Sequence, residues 1–331
     1  MADDDLVRIA AGYRRFATED AAVSSPLYAV LANGVAADAE VLAFLAGLPP
    51  GKRQPMLLFA TLQYLFGGAG DPAELHRLVL GEAAQVRATM VGRATQTNEP
   101  ARCAALLPVL AAIPGPVTLV EVGASAGLCL YPDRYSYTYD GRPMGPRSAV
   151  HLTTTTSGQG PEPDRLPEVV ARIGVDLHAL DPGDADDRAW LRALVWPGPA
   201  AADRLARLDA AAEIAAADPP RVLEGDLLER LPDALDLAPP GSTVVVFHTA
   251  VLMYPPLRQR EAFVRVVRSL PVRWIAQEPV TVLPEIDAAL SDVRDAAGRF
   301  VLSFDGRPVA LTAPHGGRID WLPGAREIMA G

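Results

Sequence analysis

The residues in this chain best suited to chemistry lie in LVEVGASAGL, residues 119–128, and they allow two different reactions. Gly123-Ala124-Ser125-Ala126-Gly127 fits G-x-S-x-G, the strand-to-helix elbow that presents a nucleophilic serine in α/β-hydrolases. In that reading Ser125 attacks, His315 in APHGG is the histidine, and an acid such as Glu278 or Asp305 lies between them in chain order. The same residues fit a glycine-rich turn after a first parallel strand. There Gly123 and Gly127 take backbone conformations that side chains disfavour and let a ligand lie against bare backbone. Amides at the start of a following helix would then offer donors to a carboxylate. Ser125 is a nucleophile in the first reading and a spacer in the second.

The order of the surrounding elements bears on the choice. In DDDLVRIAAGYRRFATED the apolar residues Leu6, Ile9, Ala10, Tyr13, Phe16 and Ala17 recur at three- and four-residue spacing, behind aspartates that suit a helix N-terminus. Further helices are expected near 26–31, 37–45, 54–66 and 72–91, broken by Pro49-Pro50-Gly51 and Gly67-Gly68-Ala69-Gly70. Another runs over about 99–112, with Pro100 in its first turn and Asn98 and Glu99 placed to cap it. No strand is expected before residue 116. From there VTLVEV (117–122), VVVFH (244–248) and VRWIAQ (272–277) alternate with helical stretches, which implies a mostly parallel sheet covered on both faces. RFVLSFDGRPVALT places two β-rich runs about Asp305-Gly306, a two-residue hairpin that ends the sheet antiparallel. Residues 141–168, with TTTTSGQGPEPD, read as a surface insertion, and Tyr135, Tyr137 and Tyr139 alternate as the packed face of a strand. A hydrolase elbow follows several earlier strands and an oxyanion-hole loop. Here its strand is the first, so the order favours the turn.

Composition narrows the function classes. A chain of 331 residues, 50% hydrophobic and 21% charged, has ample core. Its formal charge of -10 argues against bulk nucleic acid as a partner. Lys52 is the lone lysine and an arginine follows it, so no Walker A loop can be built. No metal is expected: Cys103 and Cys129 form no C-x-x-C and read as small buried residues, and the five histidines fall in no zinc motif. No run approaches the roughly 18–20 apolar residues of a membrane span, and the acidic start is unlike a secretory signal. These features point to a cytoplasmic protein.

The string E-V-G-x-S-x-G, from Glu121 to Gly127, resembles motif I of class I S-adenosylmethionine-dependent methyltransferases, with Ser125 replacing the middle glycine. That resemblance implies S-adenosylmethionine as cofactor, Glu121 near its aminoacyl end, and Gly123, Ser125 and Gly127 lining it. It also implies an acid on the ribose hydroxyls. Asp140 meets the expected ~20-residue spacing, with Asp181 as the rival. Gly225-Asp226, after a third strand, would meet the adenine. His248 ends the fourth strand and, with an imidazole pKa near ~6.5, is the leading base candidate, with Tyr254 and Glu278 beside it in the cleft. Pro308 in the last strand departs from the pattern, since proline suits an edge.

EPARCAALLPVL, LVEVGASAGLCLYPDRYSY, WLRALVWP, VVVFHTAVL and DGRPVALTAPHG are similar over nearly the full length to a bacterial family catalogued as a domain of unknown function. The fold these resemblances imply is α/β, a Rossmann-like mostly parallel sheet with an antiparallel C-terminal hairpin, preceded by an N-terminal helical region. Residues 1–95 would form a lid or substrate region beside a methyltransferase-type domain, 96–331. The implied function is methyl transfer to a small or medium-sized acceptor, a small molecule or peptide. The alternatives are a serine hydrolase using Ser125 and His315, and a methyltransferase fold that binds without catalysis.

Overall fold

Apolar residues at helical spacing dominate the first part of the chain, and helices form there. A computed structural model describes residues 2–96, 98–290, 296 and 298–330. Two compact units emerge, Met1–Thr97 with Asp184–Leu208, and Asn98–Gly183 with Asp209–Gly331.

The first unit is helical. Ala2–Arg15 continues through a π-helical turn, Phe16–Ala21, and is followed by Pro26–Ala37, Ala39–Ala46, Pro55–Phe66, Pro72–Gly81 and Ala83–Gly92. Their starts follow local chemistry: Asp38 accepts from the Glu40 and Val41 amides, Asp71 from the Glu74 amide, and Pro26, Pro55 and Pro72 occupy first turns. An aromatic core of Tyr13, Phe16, Tyr28 and Phe59 closes the unit, and Trp196 packs on Phe16 with centroids 5.2 Å apart. The buried Trp190 donates its indole N–H to Ala94 O at 3.0 Å. These two tryptophans are why residues 184–208, which come from between two strands, belong with the helices.

The second unit carries the sheet. Its strands are β1 (Pro116–Val122), β2 (Ser136–Tyr139), β3 (Arg142–Met144), β4 (His151–Ser157), β5 (Glu168–Asp176), β6 (Arg221–Glu224), β7 (Thr243–Thr249), β8 (Arg273–Pro279), β9 (Phe300–Phe304), β10 (Arg307–Thr312) and β11 (Arg318–Trp321), in the order β3-β2-β4-β11-β10-β9-β8-β7-β1-β5-β6. The stretch β6-β5-β1-β7-β8 is wholly parallel. Its central strands are mostly apolar and almost wholly buried because both faces are covered. On one face Val120, Val122, Val246, Trp274 and Ala276 pack with Leu231 and Ala234 of the helix Leu227–Leu235 and with Phe263 and Val267 of the helix Leu257–Ser269. Glu121 alternates to the other face.

β8, β9, β10 and β11 then run antiparallel to one another in turn. Asp305 and Gly306 both take positive φ, 50° and 76°, as a type I′ hairpin turn requires. Pro308 is accommodated because it lies at a bulge in the β9 pairing, and β11 pairs only from Ala310 onward.

Two expectations need correction. The hairpin does not end the sheet, because residues 141–168 supply β3 and β4, and β4 pairs parallel to both β11 and β2. Its threonines are β-branched and alternate in burial, so a stretch that reads as a polar loop serves as a strand. Nor does an α-helix follow β1. After Gly127 the chain makes one 3₁₀ turn, Leu128–Leu130, and enters β2. Tyr135, Tyr137 and Tyr139 are buried and donate to Leu128 O, Pro132 O and Ala104 O. Among the described residues, no single helix is long and apolar enough to cross a membrane.

Candidate functional site

β1 has β5 on one side and β7 on the other, so chain order reverses there. Open α/β sheets take ligands outside the strand ends at such a point. The turn after β1 lies at this position. Its amides are committed to β5: Gly123 N and Ala124 N donate to Val175 O at 2.7 and 3.2 Å, and Ser125 N donates to Asp176 Oδ2 at 2.7 Å. Gly123, Ser125 and Gly127 all have positive φ, 73°, 52° and 70°. The faces of the glycines are filled by the chain itself. A Cβ on Gly123 would lie 2.3 Å from Val251 Cγ2, one on Gly127 2.8 Å from Pro220 Cγ, and one on Gly225 2.8 Å from Arg230 Nε. The bare backbone and helix-start donors expected of this turn are therefore not what it presents. Its glycines serve turn geometry and close packing.

The polar groups beside the turn are a different matter. Glu121 is 3% exposed, and its Oε2 has no hydrogen-bond partner among the described residues. Burial pushes its carboxyl well above the usual carboxylate range, Cys129 and Asp176 add to this, and Arg102 opposes it. Glu121 stands opposite Phe247 in the β1–β7 register, which puts its side chain on the same face as Thr249. Arg102 is buried against that residue: Nη1 donates to Thr249 O at 2.9 Å and to Thr249 Oγ1 at 3.2 Å, and Nε to Pro314 O at 3.3 Å. Its Nη2 makes no hydrogen bond, and no ion pair joins it to a carboxylate, among the described residues. A buried guanidinium and a buried carboxyl thus lie on one face beside the turn, with no hydrogen bond between them among the described residues.

Ser125 Oγ is also buried and unpartnered. Glu99 caps the turn that carries Arg102 by accepting from Ala101 N at 3.1 Å, and Asn98 reaches the glycine turn, donating to Ala124 O at 2.8 Å. Cys103 and Cys129 are both buried, and Cys129 has its neighbour Cys103 and its burial to push its thiol up. A thiol held up in this way, as that of Cys129 is, stays protonated and inert.

The acids fall differently from their spacing. Asp140 is exposed on the β2–β3 turn and accepts from Thr156 N and Oγ1 at 2.8 and 2.6 Å. Six strands separate β2 from β1, so Asp140 has no part in this site. Asp181 is exposed and closes a local turn with Gly183 N at 2.7 Å. The acid at the end of the strand beside β1 is Asp176. Besides Ser125 N it accepts from His178 N at 2.9 Å, and it is half-buried. Asp226 follows β6, caps the next helix through Leu228 N at 2.8 Å, and accepts from Gln259 Nε2 at 2.7 Å. The signal for Asp176 was the β-rich run VARIGV, apolar but for Arg172, that precedes it, and for Arg102 a lone charge leading the wholly apolar helix Cys103–Ala112.

His248 takes its place at the end of β7 but on the opposite face from Glu121. Trp274 Nε1, which can only donate, lies 3.1 Å from His248 Nε2, so Nε2 accepts and Nδ1 carries the proton. Nδ1 donates to Glu278 Oε1 at 2.6 Å, and the ring is fully buried between Phe263 and Trp274. The expected general base thus has no free lone pair; it is a core histidine. Glu278 Oε1 also accepts from Val251 N at 2.9 Å and Leu252 N at 3.0 Å, which pins the loop after β7. Ala250 holds φ 56° in that loop. Tyr254 is exposed as a residue, yet burial of its phenol pushes that group up, with Arg102 opposing and Glu278 adding. His315 is exposed on the β10–β11 connection and makes no hydrogen bond to Ser125 Oγ.

In the helical unit, Asp184, Asp186 and Asp187 cluster, but Arg93 pairs with the latter two. Lys52 Nζ donates to Arg93 O at 2.6 Å.

No curated protein and no solved structure matches the chain. Residues 10–321 match the family described as "Uncharacterized protein conserved in bacteria (DUF2332)", and the chain belongs to that family.

Proposed function

We propose that this member of an uncharacterised bacterial family is an S-adenosylmethionine-dependent methyltransferase acting on a small or medium-sized acceptor, a small molecule or peptide. The observation that carries the reading is the buried guanidinium of Arg102 and the buried carboxyl of Glu121, which make no hydrogen bond to each other among the described residues. An α-amino acid group carries a carboxylate and an ammonium together. Arg102 suits the first through charge-assisted hydrogen bonds, and Glu121 suits the second. S-adenosylmethionine ends in such a group, and Asp176, at the end of the strand next to β1, is the acid that fits its ribose hydroxyls. Asp226, one strand further out, fits the adenine side. The order β6-β5-β1-β7-β8 agrees with the doubly wound pattern and supports reading the sheet as Rossmann-like. Methyl transfer from a sulfonium needs alignment above all, so a buried His248 is no obstacle to it.

Calorimetric titration tests this directly. Saturable binding of S-adenosylmethionine and S-adenosylhomocysteine by the wild type is expected, weakened by about tenfold or more in Arg102→Met, since a hydrogen bond to a charged group contributes about 1.5–3 kcal/mol. If neither compound binds the folded wild type, the reading is wrong.

The engagement of both His248 nitrogens favours one second reading, a methyltransferase fold that binds its ligand without catalysis. Cofactor binding with no labelled methyl transferred to any component of a bacterial metabolite extract would favour it. The hydrolase alternative draws no support from Ser125, whose hydroxyl makes no hydrogen bond to a base among the described residues.

A further inference from the structure

A carboxyl that is to hold an ammonium has to be charged, and the surroundings of Glu121 do not favour charge. The residue sits mid-sheet, flanked by Gly174 of β5 and Phe247 of β7. The titratable and charged groups that face it are Arg102 before the helix Cys103–Ala112, Cys129 on the 3₁₀ turn, Asp176 at the end of β5 and the buried phenol of Tyr135. Arg102 directs its placed donors to Thr249 and Pro314, Asp176 has the same sign as Glu121, and Glu121 Oε2 receives no hydrogen bond among the described residues. A carboxylate taken from water into such a place loses its hydration and gains no donor in return, so the neutral acid is the favoured form. A cation placed against it reverses that preference.

We propose that Glu121 ionises only when a cationic group enters beside it, so that ligand binding releases its proton to solvent and the site selects ammonium-bearing ligands over neutral ones. The step balances as one carboxylic acid and one bound ammonium giving a carboxylate–ammonium pair and one proton in the buffer. This rests on the methyltransferase reading for the identity of the ligand, and not for the behaviour of Glu121 in the free protein.

The experiment is calorimetry of the full chain with S-adenosylhomocysteine, in two buffers of low and high ionisation enthalpy, repeated on Glu121→Gln and with 5′-methylthioadenosine, which lacks the aminoacyl chain. Release of about one proton is expected for S-adenosylhomocysteine on the wild type, with affinity rising up to about tenfold per pH unit while the free acid is neutral. None is expected for the glutamine variant or for methylthioadenosine. S-adenosylhomocysteine binding with equal apparent heats in both buffers would overturn the proton release and leave the methyltransferase reading standing. Absence of any binding would overturn both.

A second measurement needs no ligand. Stabilisation from a neutral Glu121 is complete below the ordinary carboxyl value of 4.5 and is lost as pH rises through the raised value. Glu121→Gln should therefore unfold with the wild type in acid and become the more stable of the two as pH rises. A difference that stays constant with pH would overturn the proposal by itself.

Discussion

Glu278→Ala is expected to lower the unfolding free energy by about 3–5 kcal/mol, among the largest losses available to a single substitution in the sheet unit. One carboxylate oxygen there takes three donors, His248 Nδ1–H, Val251 N–H and Leu252 N–H. The imidazole is fully buried, and its other nitrogen is held by the Trp274 indole, so it cannot turn to find a new partner. Truncation strands a buried polar group and frees the two amides that hold a loop containing a strained Ala250. Urea unfolding of the variant beside Glu278→Gln, which keeps an acceptor at the same place, checks this. The glutamine should lose less than half as much. A loss below about 1 kcal/mol for the alanine would mean that the carboxylate is replaceable by water. Since Glu278 pins the residues that fill the Gly123 face, the same variant should also disturb ligand binding at the turn.

The reach of the sequence can be judged from these residues. β1, β7 and β8 were legible because each is a short, predominantly β-branched or apolar run, the pattern of a strand covered on both faces. The Asp305-Gly306 hairpin was legible because two adjacent positive φ angles demand those residue types. β4 was not, since threonines beside glycine and proline read equally as loop, and only its partners β2 and β11, far apart in the chain, make it a strand. That omission misplaced an acid. Counting about 20 residues from the turn assumes that the next strand is the neighbour of β1. Here β2, β3 and β4 intervene, and the neighbour is β5, which ends at Asp176. His248 was placed at the right strand end, but its face depends on register with Trp274 and Glu278, which local pattern does not reveal. Glu121 stood out by type alone, as a charge within an apolar strand, whereas its partner Arg102 is made relevant by tertiary packing against Thr249.

Gly123→Val is expected to destabilise the chain by roughly 2–5 kcal/mol, whatever ligand the site takes, through two separable terms. The first is backbone: Gly123 holds φ 73°, and a residue with a Cβ pays about 1–2 kcal/mol there, with β-branching adding to it. The second is packing: a Cβ would stand 2.3 and 2.7 Å from the two methyls of Val251 and cannot be accommodated without moving them. Shortening Val251 relieves only the second. Gly123→Ala combined with Val251→Ala should therefore recover about 1 kcal/mol or more relative to the sum of the single changes, a coupling read from a double-mutant cycle in denaturant. Strict additivity would mean that the Val251 side chain moves aside at no cost and that the turn is open after all. The distinction matters for function. If the two residues couple, loss of S-adenosylmethionine binding in a glycine variant reports a deformed turn, not a blocked cofactor. Glu121→Gln, which leaves the backbone of the turn alone and whose effect on stability is read separately against pH, is then the variant that can separate ligand recognition from folding.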